Sequence, residues 1–287
     1  MSAKTWFITG TSRGFGREWA LAALERGDSV VATARDASSL GALVSAHGDA
    51  VLPIALDVTD RDAVFAAVAQ AHGHFGRLDV VVNNAGYGQF GMVEELSEAE
   101  SREQIETNLF GALWVTQAAL PFLRAQGSGH LLQVSSIGGI SAFPTVGIYH
   151  ASKWALEGLS QALAQEVAGF GIKVTLIEPG GYSTDWGGSS ARHATELHAY
   201  DKVRARAANR PSRRGTPGDP VATRDAVLTL VDSDNPPLRV FFGEAPLAIA
   251  TADYESRLAT WNQWQPLSLA AHGGHGAALP DSAKPTT

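Results

Sequence analysis

Short apolar runs rich in β-branched residues recur along this chain at intervals long enough for a helix: TWFITG (5–10), SVVATA (29–34), AVLPIALDV (50–58), LDVVVNN (78–84), HLLQVSS (130–136), KVTLIEP (173–179) and LRVFFG (238–243). A strand that is apolar along its whole length is covered on both faces, and intervening helices supply that cover. The alternation therefore predicts an α/β fold, a doubly wound parallel sheet of seven strands flanked by helices. Helix starts agree, since TDRD (59–62) reads as a capping signal led by Thr59 before the apolar-periodic AVFAAVAQA.

After residue 180 the alternation breaks. A Gly/Ser-rich loop, the basic piece DKVRARAANR (201–210) and PSRRGTPGDP (211–220) precede the last strand. A long insertion in a compact domain is usually functional, and a substrate lid over about 181–217 is expected. The domain is expected to run over 1–268, with a flexible tail over 269–287 that contains HGGHGAALPDSAKPTT. Two histidines there without a third ligand predict no metal site.

A net charge of -7 argues against a nucleic-acid partner, and the basic residues of 202–214 lack interleaved stacking aromatics. With no cysteine in the sequence, disulfides, thiolate metal sites and cysteine nucleophiles are excluded. No apolar stretch reaches membrane-spanning length, and Met1 runs directly into the first strand, so a soluble cytoplasmic protein without a membrane partner is expected.

The turn after the first strand, TGTSRGFG (9–16), has the needs of a dinucleotide site. Gly10 permits a sharp exit from the strand, Gly14 lets backbone approach a pyrophosphate, and Gly16 allows close helix-to-strand packing; Ser12, Arg13 and Phe15 complete the loop. NAD sites usually carry an acid at the end of the second strand, whereas Ala34 stands here with Arg35 beyond it. Arg13, Arg35 and Ser12 suit a 2'-phosphate, so NADPH/NADP+ is expected over NADH. Two solvated arginines remain the alternative, and Asp36 could partly cancel Arg35. Asp57 could accept from an adenine amino group with Val58 beside the ring. In NNAGYG (83–88), Asn84, Ala85 and Gly86 would let backbone pass close to the cofactor. Four residues apart in GIYHASKWALEG (147–158), Tyr149 and Lys153 would share a helix face, as catalytic pairs and surface pairs both do.

TGTSRGFG, NNAG, Asn108 in TNLFGALWVTQ, VSSIGG, YHASK and EPGGYST follow one another as in the short-chain dehydrogenase/reductase family. The chain resembles that family over about residues 4–245, which implies a Rossmann-type oxidoreductase. The resemblance implies that Tyr149 exchanges a proton with the substrate oxygen, and that Lys153 favours the phenolate and binds nicotinamide ribose. It further implies that Ser136 hydrogen-bonds the substrate oxygen and that the Asn108 carbonyl holds a relay water. Pro179, Gly180, Tyr182 and Thr184 match the segment that meets the nicotinamide, with Tyr182 replacing a usual aliphatic residue.

The expected function is NADPH-dependent reduction of a ketone or aldehyde, reversible as alcohol oxidation; a cofactor-sensing regulator without turnover is the alternative. Phe143, Trp186, Trp261 and Trp264 suggest a bulky apolar or aromatic substrate, though core packing explains them as well. Similar proteins assemble through helices near 98–124 and 149–168, so a homodimer or homotetramer is expected.

Overall fold

The computed structural model describes residues 3–208 and 216–273. In chain order the main elements are β1 (Thr5–Ile8), α1 (Gly14–Glu25), β2 (Ser29–Ala34), α2 (Gly41–His47), β3 (Val51–Ala55), α3 (Arg61–Phe75), β4 (Val80–Asn83), β5 (Gln89–Phe90) and α4 (Glu98–Ile105). They continue with α5 (Gly111–Gln126), β6 (Gly129–Val134), α6 (Gly147–Val167), β7 (Ile172–Pro179), β8 (Arg192–His193), α7 (Asp201–Ala208), α8 (Thr223–Asp232), β9 (Arg239–Phe242) and α9 (Pro246–Ala271). All seven expected strands pair in parallel, in the order β3-β2-β1-β4-β6-β7-β9.

Continuous apolar runs become strands because both faces are buried. On β1, Trp6 and Ile8 join one core with Trp19, Leu43 and Val227 from α1, α2 and α8. Phe7, between them, faces the opposite core with Val68, Val115 and Leu163 from α3, α5 and α6. From β1 the chain winds outward through β2 and β3, then returns to β4 on the other side of β1. Such a reversal opens a crevice at the carboxyl ends of the strands.

The helix after β3 differs from the sequence expectation by one residue. Asp60, not Thr59, caps α3, accepting from the Ala63 amide at 3.0 Å. Thr59 instead turns back to Asp57 Oδ1 with its amide (2.9 Å) and hydroxyl (2.8 Å). The local Asx turn thus fixes the Thr59 side chain before the helix begins.

The described part of the insertion is tied down. β8 pairs with β5, adding a small two-stranded sheet that the seven-strand pattern did not contain. Its base is closed by Gly218, which donates to the Gly181 carbonyl and accepts from the Ser183 amide, each at 2.9 Å. Further along, Glu95 accepts from the Leu197 amide (2.8 Å) and Arg204 (2.5 Å), and Tyr200 donates to Glu94. The Leu197 amide, with burial opposed by the Met92 amide and Arg204, holds the Glu95 carboxyl down at about 2. Residues 209–215 of the basic segment and 274–287 of the expected tail lie outside the described residues.

The described chain forms two compact units, meeting in sequence at Pro246. The first holds the sheet; the second begins at Leu247 and consists of α9, which carries Trp261 and Trp264. Among the described residues no helix is long and apolar enough to cross a membrane.

Candidate active site

The glycine-rich turn leaves β1 with Gly10 at φ 70° and enters α1 with Gly14 at φ 59°, a left-handed conformation that a side chain would strain. A Cβ on Gly16 would lie 2.4 Å from the Gly10 carbonyl oxygen and 2.5 Å from Asn84 Nδ2. Asn84 braces the turn, its amide donating to the carbonyls of Thr9 (2.8 Å) and Gly10 (3.1 Å). No side chain caps α1, and its first turn holds no acid. Its amides therefore suit an anion such as a pyrophosphate. Phe15 stacks on Trp19 with ring centroids 5.4 Å apart, so its side chain belongs to the core.

At the end of β2, Ala34 is buried and Arg35 exposed. Asp36 turns away to cap the next turn, accepting from the Ser38 amide (2.9 Å) and hydroxyl (2.8 Å), which lower its carboxyl from the usual range. Arg13 does not stand free: its Nη1 donates to Asp185 Oδ2 at 2.5 Å and to Ser189 Oγ at 3.2 Å, although 53% of its side chain is exposed. Asp57 is engaged by Thr59, and Val58 is buried beneath Gly111, where an added Cβ would meet Val58 Cγ2 at 2.6 Å.

Tyr149, Ser136 and Lys153 do converge. Ser136 ends the β6 segment and accepts from the Gly138 amide at 3.0 Å, and a hydrogen bond joins it to Tyr149. Burial pushes the Tyr149 phenol up to about 12, while the bond to Ser136 acts in the other direction. Lys153, one turn further along α6, donates to the Val134 carbonyl at 2.7 Å, with Nζ 5.8 Å from the Tyr149 ring centroid. Burial lowers its ammonium to about 8, opposed by Glu157. The entrance to α6 is constrained, since Thr145 has φ 74° and its carbonyl accepts from Gly91 at 2.7 Å.

Asn108 lies in a π turn, Glu106–Phe110. Its side chain accepts from the Tyr87 amide (3.1 Å) and donates to the Tyr87 carbonyl (3.1 Å) and Ser152 Oγ (3.2 Å). The side chain thus joins the β4 loop to α6, and Gly86 keeps that approach open, since an added Cβ would lie 3.0 Å from Asn108 Oδ1.

Pro179 ends β7, and the Gly180 amide donates to the Phe242 carbonyl at 2.9 Å. The Tyr182 ring meets Phe15 edge-on at 4.9 Å. The unusual aromatic at this position is therefore absorbed by packing against α1. Thr184 approaches Gly14, so the insertion and the glycine turn face one another. Trp186 lies 5.0 Å from Tyr149 and 5.3 Å from Phe90, with Phe90 stacked on His193 at 5.0 Å. Phe143 packs on His150.

Sequence reasoning missed Phe90, His193 and His150. The first two reach the site only through β5–β8 pairing, for which two-residue strands leave no periodic signal. His150 is buried beside Tyr149 and engages the Gly138 carbonyl through Nδ1 at 2.9 Å, supporting the turn that carries Ser136.

Residues 4–194 match the model for the short chain dehydrogenase family. The chain is 45% identical over 271 residues to oxidoreductase BOA17 of Botryotinia fuckeliana, covering 93% of this chain and 99% of that one. A short-chain dehydrogenase from Streptomyces avermitilis has a similar crystal structure, with 39% identity, a TM-score of 0.86 and coverage of 94% and 98%. An alcohol dehydrogenase from Thermococcus sibiricus, solved with 5-hydroxy-NADP, is 29% identical with a TM-score of 0.71, covering 84% of this chain and 96% of that one. Fold, glycine turn and matched sequence agree: this chain is an oxidoreductase of the short-chain dehydrogenase family.

Proposed function

We propose that this protein reduces a ketone or aldehyde with NADPH, and catalyses the reverse alcohol oxidation, with Tyr149 carrying the proton. The meeting of Tyr149, Ser136 and Lys153 beside the uncapped glycine turn carries this reading. The nicotinamide supplies the hydride when bound. Ser136 orients the carbonyl, and the Tyr149 hydroxyl donates to its oxygen as negative charge develops there. A phenol held up at about 12 keeps its proton at neutral pH, as a donor must. The Lys153 charge beside the ring favours the phenolate left behind. The backbone carbonyl of Asn108 would hold the water that returns a proton.

Gly10, Gly14, Gly16, Asn84, Ala85 and Gly86 would shape the cofactor groove, with Ser12, Asp57, Val58, Pro179, Gly180, Tyr182 and Thr184 along it. The NADPH preference is supported by Ala34, by exposed Arg35 and by the engagement of Asp36 with Ser38. The Arg13–Asp185 pair leaves Arg35 the larger share of the 2'-phosphate contact. Trp186 and Phe90 favour a bulky apolar or aromatic carbonyl. We further propose a cytoplasmic homodimer or homotetramer, with the insertion acting as the substrate lid.

NADPH depletion over a panel of bulky carbonyls tests the reading. Tyr149→Phe is expected to lose about 10²- to 10⁴-fold in turnover with cofactor affinity nearly intact. Retention of more than about a tenth of the wild-type rate would move the proton to another group.

A further inference from the structure

One turn beyond Lys153 on α6, Glu157 is buried and turned inward, with Arg239 Nε of β9 at 2.8 Å from its Oε2. Glu178 of β7, only 1% exposed, lies against the same guanidinium with Oε1 at 3.5 Å, so two buried acids face one Arg239. Two ionised carboxylates buried against one guanidinium would leave a negative charge unmatched, and a proton held by one of the pair removes it. Oε1 of Glu157 and Oε1 of Glu178 are both buried without a hydrogen-bond partner. A shared proton answers both. Gly139 permits the backbone to close over the pair, since an added Cβ would lie 2.7 Å from Ser135 Oγ and 3.0 Å from Glu157 Cγ.

The buried ammonium of Lys153 donates to an uncharged carbonyl, and Glu157 is the acid whose field supports its charge. We propose that Glu157, Glu178 and Arg239 form a proton-sharing cluster whose one carboxylate charge keeps Lys153 ionised, which makes Glu157 a positioning residue of the reaction. This rests on the role proposed above for Lys153. The titratable and charged groups around the two sites are Tyr149, His150 and Glu157 on α6, Glu178 on β7 and Arg239 on β9; Ser135 and Ser136 after β6 and Asn108 in the π turn are polar but uncharged. Burial and Glu157 push the Glu178 carboxyl up, the direction a shared proton requires.

Proton sharing has a consequence that a simple ion pair lacks. Removing either acid relieves the repulsion on the other, which then ionises, so the cluster keeps its charge. Removing both takes the charge away.

The sequence has five lysines, Lys4, Lys153, Lys173, Lys202 and Lys284, so 13C at Cε can follow Lys153 directly. Against a wild-type midpoint of about 8, Glu157→Gln/Glu178→Gln is expected to titrate lower by roughly one pH unit, with each single variant shifting less than about a third of that. The alkaline limb of turnover should move with it. A double variant titrating like wild type overturns the proposal, as does Glu157→Gln alone giving the full shift. If the double variant does not fold, carboxyl-13C spectra of the wild type decide: one of the two acids protonated at pH 7 supports sharing, and both ionised overturns it. Lysine titration needs no turnover and can be read in Tyr149→Phe. An active Tyr149→Phe enzyme with the expected shift would reject the Tyr149 mechanism while leaving the charge cluster standing.

Discussion

Replacing Gly16 by alanine should couple stability to cofactor binding. The added methyl would lie 2.4 Å from the Gly10 oxygen, about 1 Å closer than ordinary contact, and 2.5 Å from Asn84 Nδ2. Neither obstacle moves cheaply, because Gly10 is held at φ 70° and Asn84 is anchored on Thr9 and Gly10. Overpacking costs about 1–3 kcal/mol, and a weakened Asn84 hydrogen bond adds about 1. Helix propensity returns up to about 1 kcal/mol, so a net loss of about 1–3 kcal/mol is expected. That corresponds to a fall in Tm of about 2–12 °C for a chain of this size. Displacing α1 from the turn should also weaken NADPH binding at least ~10-fold, since the α1 amides are aimed by that contact. Gly158→Ala is the paired control: exposed on α6 with nothing within 4 Å of the new methyl, it should stabilise by about 0.5–1 kcal/mol. Thermal unfolding and fluorescence titration with NADPH measure both quantities. A Gly16→Ala protein with wild-type Tm and affinity would refute the close-packing argument.

Arg35→Ala should erode the proposed NADPH-over-NADH preference in kcat/KM by at least ~10-fold, mainly through KM, and leave NADH turnover nearly unchanged; an unaltered preference would make Arg35 a solvated surface charge. Turnover should decline as pH rises through about 8, where Lys153 loses its proton, and a flat profile to pH 9.5 would contradict this. The stability contribution of Lys153 runs oppositely: its folded pKa lies below the ordinary 10.5, so the unfolded chain binds that proton more tightly and stability from this group rises between about 8 and 10.5. His130 on β6, paired through Nε2 with Thr175 Oγ1 at 2.9 Å, is lowered by burial to about 3. It remains neutral in the fold while the unfolded histidine gains a proton below about 6.5, so stability should drop by about 3 kcal/mol by pH 4. Urea midpoints across this range test it, and His130→Gln should flatten the acid slope.

Local rules placed the elements that carry the chemistry. A strand buried on both faces must be apolar throughout, so TWFI and VVVN were recognisable without knowing their partners. Gly10 and Gly14 mark a turn that only glycine tolerates, and the helical repeat alone puts Tyr149 and Lys153 on one side. The Asx turn at Asp57 was also local, yet it displaced the α3 cap because it engages the Thr59 amide and hydroxyl while Asp60 accepts from the Ala63 amide.

The third dimension decided which side chains are engaged and by whom. Arg13 found Asp185, far along the chain, and the rings of Phe15 and Tyr182 met edge-on. Trp186 meets Tyr149, and Phe90 joins Trp186 to His193, where the insertion pairs with a strand two residues long. Glu157, Glu178 and Arg239 come from α6, β7 and β9. A pairing between distant residues leaves no periodic trace in a single chain, because its energy depends on desolvation and geometry that exist only after the sheet and its helices have packed.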